Sequence, residues 1–230
     1  LNGLLVHKFS SEDVVNFGLA FSPDGTRLAS GLWHTGLIQL WDVKTGKEIS
    51  RYPSDLVGGL NELAFSPDGK SLFYGGGTFM DPDEAKAIVL NLASGDIELA
   101  IPLAGTSDFY GADVSSDGKY LLTAHSDGTA RIWDAQSGEL VHEYPAGEIL
   151  VSGKFSPDGK SLLLTGFNGL ASLWDVSEAK KLRDLVGHTD MVSHGAYSSD
   201  GSRIATAGYD GTARLWATAT GRELRRYTGH

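Results

Sequence analysis

One short word returns five times along this chain. FSPDG stands at 21–25, 65–69 and 155–159, and looser copies read VSSDG at 114–118 and YSSDG at 197–201. The steps between the leading residues are 44, 49, 41 and 42. Two further markers keep the same period. Trp-Asp closes the unit at 41–42, 133–134 and 174–175, with Trp216–Ala217 and Leu90–Asn91 as worn copies. A glycine turn follows in KTGKEI (44–49), ASGDIE (93–98), QSGELV (136–141) and ATGREL (219–224), and SEAKKL (177–182) takes its place in the fourth unit. A repeat of this length is one supersecondary unit copied and stacked, because a single copy cannot bury both of its faces. The near-identical pair TAHSDGTARIW (123–133) and TAGYDGTARLW (206–216) is then one piece of scaffold written twice.

The fifth unit shows what the piece is. MVSHGAYS (191–198), RIATAG (203–208), TARLWA (212–217) and RELRRY (222–227) read as four short strands, with Ala213, Leu215 and Ala217 sharing a face of the third. Tight turns separate them. In SPDG the serine opens a type I turn, proline presets the next φ and glycine closes it. Glycine, 30 of 230 residues, suits a chain with this many turns.

A four-stranded unit of about 42 residues ending in Trp-Asp resembles one blade of the WD-repeat β-propeller family, and the resemblance spans essentially the whole chain. It implies an all-β fold: a β-propeller of five four-stranded antiparallel blades, at about 14–52, 58–101, 108–144, 149–185 and 191–228 of a single domain 1–230. LNGLLVHKF (1–9) aligns with TGRELRRYT (220–228) and reads as the outer strand of a preceding blade. Both ends therefore read as cut from a larger, about seven-bladed propeller whose neighbouring blades are missing here, with a closed five-bladed ring as the alternative. The family also implies a hydrogen-bond network in each blade. The fifth unit has all four members, His188, Thr206, Asp210 and Trp216. The third has Thr123, Asp127 and Trp133, and its AGTSDF (104–109) lacks the histidine. The first keeps Ser30 and Trp41, with His34 near the aspartate position. The fourth keeps Trp174 alone, with Leu164 and Asn168 at the other positions. One blade is expected to be fully stapled.

No chemistry emerges from the motifs. There is no cysteine, so disulfides and thiol sites are excluded. Net charge is −10, the wrong sign for a surface that neutralises phosphates, so no nucleic-acid partner is expected; Arg222, Arg225 and Arg226 read as a solvated strand edge. No apolar run of 18 residues exists, so no membrane span is expected. HSD (125–127) and HTD (188–190) are not triads, because neighbours on a strand point to opposite faces. His188 and His194 show no ligand spacing, and GGG (75–77) reads as a turn rather than a phosphate loop. No catalytic residue, metal or cofactor is expected.

What remains is a binding surface. By the family analogy, the turn between second and third strands lies on the rim of the central channel. Trp33, Phe167 and Tyr209 precede the turn aspartate or its counterpart there, and Ser126 does so in the third unit. With Met191 they form a candidate anchor set for a protein or peptide. The second unit carries an insertion, GGTFMDPDEAK (76–86), read as a long rim loop whose Asp81, Asp83 and Glu84 read as solvated acids rather than as a calcium site. The expected function is a non-enzymatic, cytoplasmic interaction scaffold. The alternatives are a regulatory module of a larger protein, or a propeller-type hydrolase or lyase.

Overall fold

The structure is a computed structural model, and it describes residues 8–9, 16–32, 35–54, 56, 60, 62–78, 81–103 and 109–229. Its regular elements among these residues are all strands, grouped in five four-stranded antiparallel sheets whose order is simply the order of the chain. By contacts the chain divides into two compact units, Leu1–Ala104 and Gly105–His230.

The first unit holds two blades. One consists of β1 (Asn16–Phe21), β2 (Arg27–Leu32), β3 (Leu37–Asp42) and β4 (Glu48–Pro53). The other consists of β5 (Glu62–Phe65), β6 (Ser71–Thr78), β7 (Asp81–Asn91) and β8 (Ile97–Pro102). Three blades make the second unit. The third is β9 (Phe109–Val114), β10 (Tyr120–His125), β11 (Thr129–Asp134) and β12 (Leu140–Pro145). The fourth is β13 (Leu150–Phe155), β14 (Ser161–Gly166), β15 (Ala171–Asp175) and β16 (Lys180–Asp184). The fifth is β17 (Val192–Tyr197), β18 (Arg203–Gly208), β19 (Thr212–Ala217) and β20 (Glu223–Thr228).

Local chemistry builds the first turn of every blade in the same way. The Ser22 hydroxyl donates to Asp24 Oδ1 at 2.6 Å, the Gly25 amide donates to the Ser22 carbonyl at 2.8 Å, and the Arg27 amide returns to Ser22 Oγ at 2.9 Å. Ser66/Asp68, Ser115/Asp117, Ser156/Asp158 and Ser198/Asp200 repeat the Ser–Asp bond. In the later glycine turn the fourth blade departs: where Gly138 and Gly221 sit at φ of 73° and 69°, Ala179 is held at 50°. A Cβ in that region is strained.

Blades stack by burying strands on both faces. In the first unit Ala29, Ile38 and Leu40 pack against Leu63, Leu72, Tyr74 and Leu90. In the second, Leu122, Ala130 and Ile132 meet Leu150, Leu162, Leu164 and Trp174, and Leu163, Ala171 and Leu173 meet Val192, Ile204 and Trp216. The blades approach so closely that a Cβ on Gly195 would fall 2.5 Å from Leu163 Cδ2. Burial on both sides explains why YLLTAH and SLLLTG run apolar without alternation. In β18 burial alternates instead, with Ile204 and Thr206 buried and Ala205 and Ala207 exposed.

Two expectations for the second unit of the repeat are overturned. GGG (75–77) is not a turn, because Gly75 and Gly76 lie inside β6 and pair with Ala87 and Lys86. The insertion 76–86 is not an open loop: it lengthens β6 and β7 into one hairpin, with Thr78 opposite Asp81. Glycine keeps both its amide and its carbonyl for the ladder, and continued pairing satisfies backbone groups that a loop would leave to water.

Candidate functional site

In the second unit the turns between second and third strands lie where the first strands begin, and they interlock with the segments leading into those strands. The Phe167 amide donates to the Ile149 carbonyl at 2.9 Å, and the Tyr209 amide to the Met191 carbonyl at 2.8 Å. Between blades the contact continues. A Cβ on Gly128 would meet the Glu148 backbone at 3.1 Å, and a Cβ on Gly169 would collide with the His188 carbonyl; within the fourth blade Asn168 Nδ2 donates to Glu148 Oε2 at 2.8 Å. The result is a continuous rim running from the turn of Ser126 through 146–149, 167–169 and 186–190 to Tyr209.

On this rim Phe167 is 41% exposed and Tyr209 70% exposed, while Met191 is half-buried. Ile149, 39% exposed, joins Phe167 as Met191 joins Tyr209. Its sequence signal was its place directly before the first strand, the place Met191 holds before β17. Trp33 and His34 lie outside the described residues, as do Phe79 and Met80, and the side chains of Asp81, Asp83 and Glu84 are likewise not described. Among the described residues no cluster of three or more His, Asp or Glu could hold a metal ion, and no helix is long and apolar enough to cross a membrane.

Beneath the rim of the fifth blade runs a relay of hydrogen bonds. Trp216 Nε1 donates to Thr206 Oγ1 at 2.8 Å, Thr206 lies 2.8 Å from His188 Nε2, and His188 Nδ1 lies 2.9 Å from Asp210 Oδ2. A neutral imidazole with its proton on Nδ1 satisfies every member in one direction, from indole to carboxylate. Asp210 also accepts from the Thr212 hydroxyl at 2.7 Å and from the Thr189 amide at 3.2 Å. Burial acts to raise its pKa, but the bonds from Thr212, His188 and the two amides outweigh it and hold the carboxyl far below the usual range. Arg214 spans Asp210 and Glu223, at 3.3 and 2.7 Å.

The other blades hold their tryptophans differently. In the third, the histidine comes from the strand itself: buried His125 places Nε2 2.8 Å from Thr123 Oγ1, which accepts from Trp133 Nε1 at 2.8 Å. His125 occupies the register position of Gly208, where a Cβ would stand 2.5 Å from His188 Nδ1. The two near-identical segments thus differ where it matters: glycine makes room for an incoming ring and histidine fills the room from within. Asp127 turns instead to the Thr129 amide at 2.8 Å and to Arg131 at 2.9 Å. Trp41 Nε1 donates to Ser30 Oγ at 3.0 Å, and Trp174 Nε1 to Ser172 Oγ at 2.9 Å, a partner on its own strand.

Comparison with known proteins gives two likenesses. A family model described as "WD domain, G-beta repeat" matches residues 3–42, 102–134 and 179–217. The chain is also 28% identical over 127 residues to the eukaryotic translation initiation factor 3 subunit I of Phaeosphaeria nodorum. That match covers 52% of this chain and 37% of the relative's length.

Proposed function

We propose that this chain, which belongs to the WD-repeat family, is a non-enzymatic scaffold that holds a protein or peptide on the rim of its second-to-third-strand turns. The observation that carries the reading is the exposure of two aromatic rings, Phe167 and Tyr209, on turns whose backbone is already fixed by hydrogen bonds. An aromatic ring loses little freedom on binding when its backbone is rigid, and such rings dominate interface energetics. Ile149 and Met191 extend the apolar surface, and Trp33 is the corresponding residue of the first blade. The relative's name describes a subunit, which supports a protein rather than a small molecule as the occupant, and a cytoplasmic setting belongs to the same proposal.

The test uses peptides selected on the intact chain from a random library. In a Phe167→Ala, Tyr209→Ala double variant their affinity should fall at least ~30-fold, as for the loss of one strong aromatic anchor. Equal binding by a double variant that melts like the parent would remove the rim from consideration.

A further inference from the structure

At the end of the strands away from Phe167 and Tyr209, the copies of the repeat disagree at two positions. The residue before each first turn is alanine in three blades, Ala20, Ala64 and Ala196, but Asp113 in the third and Lys154 in the fourth. Proline enters the turn at Pro23, Pro67 and Pro157, but Ser116 stands there in the third blade and Ser199 in the fifth. All four exceptions line one open cavity of about 340 Å³ at the ends of β9, β13 and β17, beside Val114, Phe155, Pro157 and Tyr197.

Asp113 and Lys154 are each tied to the backbone of the other's blade. Lys154 Nζ donates to the Ala112 carbonyl at 3.0 Å, Asp113 Oδ2 accepts from the Phe155 amide at 2.7 Å, and the two charges stand 3.9 Å apart. Their side chains remain 27% and 21% exposed, so solvent reaches both. The first and second blades stack with alanine at both places, so stacking does not call for the charges. Serine for proline gives the cavity an amide and a hydroxyl at each turn, where proline offers neither donor. Ser116 and Ser199 are exposed, and among the described residues no hydrogen bond uses either. Apolar walls with a few polar groups among them are the usual composition of a small-molecule site, and the volume is of the usual size.

We propose that this cavity binds a carboxylate carried on a small aromatic or aliphatic body. The ammonium of Lys154 holds the carboxylate, Ser116 and Ser199 donate to it, and the body lies against Phe155 and Tyr197. Asp113 can only accept, and its charge offsets that of Lys154, so the site suits one negative charge and disfavours the two of a phosphate ester. A free organic acid and the C-terminal carboxylate of a peptide present the same chemistry.

The test titrates the isotope-labelled full chain with hydrocinnamate, and with acetyl-Gly-Gly-Phe as the free acid and as the amide, and follows amide chemical shifts. Saturable shifts should concentrate at Ser116, Phe155 and Ser199. Tighter binding of the tripeptide acid than of hydrocinnamate makes a chain terminus the source of the carboxylate, and the reverse order makes it a free acid. Lys154→Ala, and the double variant Ser116→Pro, Ser199→Pro, write the repeat's own residues back into the site. Each should weaken binding at least about tenfold, as for the loss of hydrogen bonds to a charged group. Asp113→Ala, also a residue of the repeat, should tighten it, a sign that a purely structural tie between blades would not give. Shifts that do not saturate overturn the proposal, as does phenethylamine or the amidated tripeptide binding as tightly as the acids. So does an affinity that Lys154→Ala leaves unchanged or that Asp113→Ala fails to raise.

Discussion

Two histidines with one task show how a single position decides a local design. His188 reaches Thr206 from outside the sheet, through the space that Gly208 leaves, and His125 reaches Thr123 from inside it. The four-member pattern of the fifth blade was legible because its members stand at separate, recognisable places in the repeat. The third blade's substitute was not, because a histidine within a strand reads as an ordinary core residue until its register with Gly208 is known. Truncation of His188 to alanine strands a buried carboxylate and a buried hydroxyl at once, and should lower the unfolding free energy by about 1–3 kcal/mol in urea titrations. An unchanged midpoint would mean that water replaces the ring without loss.

At the scale of the element, the first turn is the most repeated device in the molecule and the most readable. Serine, aspartate and glycine at fixed spacing dictate its hydrogen bonds with little help from distant sequence. Those bonds also make it acid-sensitive. The Ser22 hydroxyl, with the amide and hydroxyl of Thr26, lowers the Asp24 pKa from 3.8 to about 2, and the Ser198 hydroxyl and the Ser202 amide and hydroxyl do the same for Asp200. Because the folded-state value is the lower one, the stabilisation is complete above about pH 4 and disappears as the pH falls through about 2. Circular dichroism should therefore show stability dropping across that window. A Ser22→Ala, Ser198→Ala variant should be less stable at neutral pH and flatter in its dependence below pH 4; an equally steep profile would place the acid response elsewhere. The hairpin of β6 and β7 is the counterexample, since glycine and an aspartate-proline sequence signal a loop locally while cross-strand pairing makes a ladder. A ladder is a non-local fact that no window of sequence contains.

For the whole molecule, the period carried most of the information: repeat number, strand order and the two-sided burial of the blades follow from the copies alone. Which faces stay open does not follow, because it depends on neighbours rather than on the repeat itself. The consequence reaches into the time domain. In a stack whose members touch only their neighbours, opening costs less where a member has fewer of them. The fourth blade is buried on both faces of β14, and the fifth on one face of β18. Deuterium should accordingly enter the amides of β18 and β19 before those of β14 and β15, so that the second unit frays from one side and loses its blades in sequence rather than together.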